Sequence, residues 1–185
     1  MFAATKEGEV DTSNLHVKGV PLMSQRGHIS SMVTLALEEL ARRAPEVSFI
    51  HDYPGFVKTG IGRQYKGAAK LLLQASSAML GPLIFVPEDE SGARHVYLAT
   101  SAKYPSKSGL AGGSGSGVPL GKNTQVGRGT DGEVGSGVYS VGNNNETAGV
   151  KVLKILEKLR YEGVDTKAWE HTMKELKRIT GAEAL

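Results

Sequence analysis

His51 and Asp52 stand side by side, an imidazole and a carboxylate of the kind that relay protons in general acid–base catalysis. Their neighbours read as a strand, and successive strand residues point to opposite faces of a sheet. The two side chains therefore diverge, and the pair is read as a strand end. Thr59-Gly60-Ile61-Gly62 suggests a second chemistry, because small residues ahead of a helix can offer bare N–H groups to a phosphate. The third glycine of a dinucleotide turn is missing at its spacing, and no acidic ribose partner ends a following strand, so the segment is not taken as a phosphate loop. Gly112-Gly113-Ser114-Gly115-Ser116-Gly117 follows no strand and reads as a flexible linker. His16, His28, His51, His95 and His171 lack metal-ligand spacing, and the chain has no cysteine, which excludes disulfides, thiolate metal sites and thiol nucleophiles. No metal is expected.

The elements that would position such groups follow from hydrophobic periodicity. Residues 1–27 show no usable period and are read as irregular. Ile29, Met32, Val33, Ala36, Leu37 and Leu40 recur at helical spacing, and Pro45 stops the helix. Val47 to His51 reads as a short buried parallel strand, ended by a turn at Pro54-Gly55. A second helix is expected from about Gln64 to Leu80, and Glu88 to Ala102 is read as a third; together these make residues 28–104 a helix–strand–helix segment. Composition then shifts, with 12 of the 24 glycines falling between Gly109 and Gly142. Such a stretch buries little apolar area and is costly to order, so residues 105–136 are expected to form a flexible loop. Residues 137–185 are read as a strand around Val138 to Val141 and two helices. Val152, Leu153, Leu156 and Leu159 mark the first helix and Gly163 ends it; Asp165 is a candidate cap for the second, whose apolar stripe is Trp169, Met173, Leu176 and Ile179.

Two strands with five helices form a piece of an α/β domain, since a parallel sheet needs several strands with both faces covered. Net charge is +3 with basic and acidic residues interspersed, which gives no nucleic-acid footprint. The longest apolar run, Ala78 to Val86, is broken by Gly81 and Pro82 and is too short to span a bilayer. The polar start, Met1 to Val10, carries no signal-peptide core, so a cytoplasmic protein without membrane partners is expected.

Around the turn the chain reads Phe49-Ile50-His51-Asp52-Tyr53-Pro54-Gly55-Phe56-Val57-Lys58-Thr59. This resembles the Pro-Gly-x-Val-x-Thr turn of the short-chain dehydrogenases/reductases, which follows a strand and packs against nicotinamide. The preceding helix, Leu35 to Ala41, is similar to the one that carries that family's catalytic tyrosine and lysine. Arg94 to Tyr104, Gly135 to Val141, Trp169 to Thr172 and Lys177 to Thr180 are similar to segments of a divergent fungal branch. The resemblance implies a Rossmann-type, doubly wound parallel sheet and an NAD(P)-dependent oxidoreductase of a carbonyl or alcohol substrate, in the fungal branch often serving secondary metabolism. It also implies that Pro54, Gly55, Val57 and Thr59 contact the cofactor: Gly55 lets backbone approach a flat ring, and a backbone amide and the Thr59 hydroxyl can hydrogen-bond a carboxamide.

Two features depart from that pattern. No Tyr-x-x-x-Lys exists: the residues four after Tyr53, Tyr65, Tyr97, Tyr104, Tyr139 and Tyr161 are Val57, Ala69, Ser101, Ser108, Asn143 and Asp165. The expected place, Val20 to Arg26, holds no phenol or ammonium, and the guanidinium of Arg26 does not release its proton, so no catalytic residue is assigned. The Gly-rich βα turn that holds the pyrophosphate is also absent. The expectation is a partial Rossmann-type layer, helix-rich and with the front half of the fold missing. It would be truncated and inactive alone, doubtful as a dinucleotide binder, and able to dock on a second copy or a full-length relative.

Overall fold

The computed structural model describes residues 4–57, 67, 85–111 and 117–182. In chain order its elements are α1 (Leu22–Arg43), β1 (Phe49–Asp52), β2 (Phe56–Val57), β3 (Phe85–Val86), α2 (Glu88–Thr100), α3 (Lys107–Ala111), β4 (Val138–Val141), α4 (Val150–Tyr161) and α5 (Val164–Thr180). The architecture is α/β with parallel strand pairing, as a partial Rossmann-type layer requires. The chain divides into two compact units, Met1–Tyr53 with Thr100–Leu185, and Pro54–Ala99.

In the first unit β1 and β4 pair in parallel with Phe49 opposite Val138 and Asp52 opposite Val141. A parallel pair needs a crossover between its strands. Here 85 residues separate the ends, and α1, which precedes β1, packs on both strands. α1 ends at Arg43 because the residue before Pro45 is held out of the helical region; Ala44 sits at φ −131°. α4 and α5 close the core. Leu35 of α1 meets Val152, Leu156 and Leu159 of α4 and Val164 of α5, with Val10 and Ile155 packed alongside. Leu35, Leu156 and Leu159 are fully buried, each worth roughly 1.5–3 kcal/mol relative to exposure. Val152, Leu156 and Leu159 recur at the spacing of one helical face.

The second unit pairs Phe56 with Phe85 and Val57 with Val86 in a two-residue parallel ladder. α2 occupies Glu88–Thr100, where the sequence predicts a helix. Glu88, Asp89 and Glu90 in its first turn complement the helix dipole. The expected helix from Gln64 to Leu80 lies outside the described residues.

Four expectations need correction. α1 starts at Leu22, well before the period at Ile29, because its first turns face the N-terminal segment and not the apolar core. Gly27 permits this: a Cβ there would lie 3.0 Å from the Cα of Gly8. α5 is preceded by Gly163 in the left-handed region and shows no side-chain cap, so Asp165 sits inside its first turn instead of capping it. The apolar stripe of α5 is not all core: Leu176 is 41% and Ile179 68% exposed, beyond the reach of α1. Finally, the glycine-rich stretch buries more than its composition suggests. Gly129 N–H donates to Glu133 O at 2.8 Å, Gly135 N–H to Gly127 O at 2.9 Å and Gly127 N–H to Lys103 O at 2.7 Å. Thr130 is 2% exposed, and its hydroxyl hydrogen-bonds Glu38 on α1. Polar tethers, which leave no hydrophobic period, order this part of the chain.

Candidate functional site

The turn singled out by sequence stands at the carboxyl end of β1, the end at which parallel α/β sheets place their ligands. Gly55 is buried with φ +86°, a conformation that any side chain would strain, so the turn here requires glycine. Pro54 and Val57 are half-buried, Phe56 is 49% exposed, and Val57 is held in register by Val86. Pro54, Gly55 and Val57 thus form one continuous run; Thr59 lies outside the described residues. No Gly-rich βα turn for the pyrophosphate occurs in the sequence.

On the first unit, Arg26 of α1 stacks its guanidinium over the Tyr53 ring at 5.4 Å, beside the end of β1. Its Nε is buried and meets no acceptor among the described residues. This is the stretch where a catalytic phenol and ammonium were sought.

The residues with the most catalytic appearance occupy a different place. Glu7 reaches into the space between α1 and the β1–β4 sheet with its side chain wholly buried. Its Oε1 accepts the hydroxyls of Thr34 at 2.9 Å and Ser140 at 2.6 Å. Ser140 Oγ in turn accepts the Thr5 N–H at 2.8 Å. Thr34 Oγ1 also meets His51 Nδ1 at 2.9 Å. A hydroxyl has one proton, and that of Thr34 goes to Glu7, so His51 donates from Nδ1. Burial pushes the His51 imidazole below its ordinary value, with the Glu7 carboxylate pulling the other way. This is an acid, a base and two hydroxyls in contact. Yet Thr34 and Ser140 are 0% and 1% exposed, and a nucleophile that no substrate reaches performs no chemistry. The cluster is a polar lock. Sequence reasoning set aside the His51–Asp52 pair and missed Glu7, because the link spans 44 residues and no local spacing encodes it.

Two tyrosines, Tyr104 and Tyr139, are spent on packing. Tyr139 is 0% exposed and donates to Pro105 O at 2.7 Å, and burial pushes its phenol up to about 12. Tyr104 packs edge-on against it at 5.3 Å and donates to Asn145 O at 2.6 Å. Among the described residues no cluster of three or more His, Asp or Glu is placed to hold a metal ion, and no helix is long and apolar enough to cross a membrane.

Comparison with known proteins places this geometry in context. The chain is 32% identical over 177 residues to oxidoreductase andH of Emericella variicolor, covering 95% of this chain and 51% of the relative. It is 30% identical over 164 residues to the short-chain dehydrogenase/reductase SAT2 of Stachybotrys chartarum, covering 86% and 43%. It is 30% identical over 150 residues to the NmrA-like family domain-containing oxidoreductase notO of an Aspergillus species, covering 78% and 37%. No family model and no solved structure matches. The chain spans about half the length, or less, of the curated relatives it matches. On the likeness to these oxidoreductases over most of its own length, the chain belongs to a divergent fungal family related to the short-chain dehydrogenases/reductases.

Proposed function

We propose that the chain is the nicotinamide-facing part of an NAD(P)-dependent oxidoreductase that interconverts a carbonyl and an alcohol, in fungal secondary metabolism. The observation that carries this reading is the turn at Pro54-Gly55-Phe56-Val57: bare backbone at φ +86°, at the carboxyl end of a parallel strand, in a chain whose relatives are oxidoreductases. These 185 residues contain no Gly-rich pyrophosphate turn and no Tyr-x-x-x-Lys pair, so turnover depends on residues supplied from outside them. A second reading, docking on a full-length relative or a second copy, is favoured by β1. Its sheet has two strands, and no third meets the edge carrying Ile50 among the described residues.

The two halves of the cofactor test the proposal separately. Nicotinamide mononucleotide should shift the backbone amide signals of Gly55 and Val57, whereas ADP-ribose should shift none. The reverse pattern overturns the reading. Whole NADPH should bind the chain alone more weakly than about 10 μM, roughly −7 kcal/mol. Tighter binding would show that these residues already hold a dinucleotide site.

A further inference from the structure

The N-terminal segment lies along one face of α1 through polar contacts at Gly27, His28, Ser31 and Thr34. Gly8 N–H donates to Gly27 O at 3.1 Å, and Ser31 Oγ bonds both the N–H and the carbonyl of Gly8, at 2.9 and 2.6 Å. Beyond Gly8 the attachment changes character. Asp11 N–H donates to His28 Nδ1 at 3.2 Å, and His16 sets its ring edge-on against His171 of α5 at 4.7 Å, with Glu175 Oε1 4.0 Å from His16. Gln25 Nε2 holds the far end through Val20 O at 2.6 Å. Bonds such as Ser13 N–H to Asp11 Oδ1 and Lys18 N–H to Asn14 Oδ1 fix the shape of the segment but not its position. Three imidazoles therefore meet where residues 11–20 rest on the helices.

We propose that residues 11–20 form an acid-sensitive strap, docked on α1 while His28 is neutral and released when His28 takes a proton. Accepting the Asp11 N–H requires a bare lone pair on Nδ1, and protonation turns that acceptor into a donor aimed at another donor. The ring is 6% exposed, and its Nε2 meets no acceptor among the described residues, so a charged ring here has no hydrogen-bond partner. The charges facing His28 are the Asp11 carboxylate on the strap and His171 on α5; Glu175, beside His16, is itself engaged by Arg178 at 2.8 Å. Burial lowers the His28 imidazole below 6.5, the Asp11 charge opposes this, and His171 adds to it. Docking is thus complete above the value of the released imidazole and weakens as pH falls below it. Release would uncover His28 and leave in place both the Gly8–Ser31 bonds and the apolar core around Leu156.

Amide hydrogen exchange on the whole chain, corrected for intrinsic rates, reads this directly. Between about pH 7.5 and 5.5, protection across residues 11–20 should fall by up to about tenfold, the limit for one proton on a group released at 6.5. Protection in α4 should hold within about twofold. In His28→Gln the side-chain oxygen can accept the Asp11 N–H without titrating, and the profile should flatten. A flat wild-type profile, a fall that survives in His28→Gln, or α4 opening in step with the strap would each overturn the proposal. Should the variant not fold, the ring signal of His28 in the native chain serves: its titration midpoint must coincide with that of the strap, and a mismatch overturns the proposal as well.

Discussion

The lock around Glu7 and the turn at Gly55 sit on opposite sides of what a site requires. The lock contains the reactive-looking groups, a carboxylate, an imidazole and two hydroxyls within hydrogen-bond distance, and seals them from any substrate. The turn contains proline, glycine, phenylalanine and valine, and it presents an exposed ring, that of Phe56, over a buried glycine. Residue type alone thus misassigns the pair. Accessibility separates them: the hydroxyls of the first are sealed, whereas the second carries Phe56 at the surface.

The largest test of this contrast is Glu7→Ala. It strands the hydroxyls of Thr34 and Ser140 and removes the anion beside His51, and unfolding in urea should show a loss of about 3 kcal/mol. A loss under about 1 kcal/mol would mean that the cluster is not a lock. Next comes pH. The His51 imidazole lies below its ordinary value in the folded chain, so its contribution is complete above about 6.5 and is lost as pH falls through the lowered value. The slope there should reach about 1.4 kcal/mol per pH unit from this residue, and His51→Gln should remove that share. Gly55→Ala forces a side chain to φ +86° and should cost about 1–2 kcal/mol locally, seen as faster amide exchange within residues 54–57. The smallest effect on stability belongs to Phe56→Ser, within about 0.5 kcal/mol, while the nicotinamide mononucleotide shift at Gly55 weakens. If Phe56→Ser instead destabilised like a core change, the turn would be packing and the contrast would collapse.

Much of this was legible in the sequence, for a physical reason. The body of α1, the strand at Val138–Val141 and α4 with Val152, Leu156 and Leu159 are placed by apolar burial; the strand read at Val47 to His51 falls instead at Phe49–Asp52, where every residue is only partly buried and Val47 is 42% exposed. The polar contacts are not placed that way. Glu7 to Ser140, Asp11 to His28 and Thr130 to Glu38 each join residues whose neighbours give no hint of the partner. The start of α1 was missed for the same reason, since Gly27 and His28 serve a polar segment. The turn after β1 was legible because Pro54 and Gly55 constrain backbone locally, without help from distant chain.

The reach of Glu7 carries a consequence for synthesis. Its partner Ser140 lies 133 residues later, and the Lys158 that pairs with Glu9 lies 149 residues later. At roughly 5–20 residues per second, a ribosome needs about 7 to 27 seconds to deliver Ser140 after Glu7 has emerged. During that interval the carboxylate and the strap have no sheet to close upon. The residues around Glu7 are therefore among the last of this segment to settle, and nascent α1 waits with its polar face open.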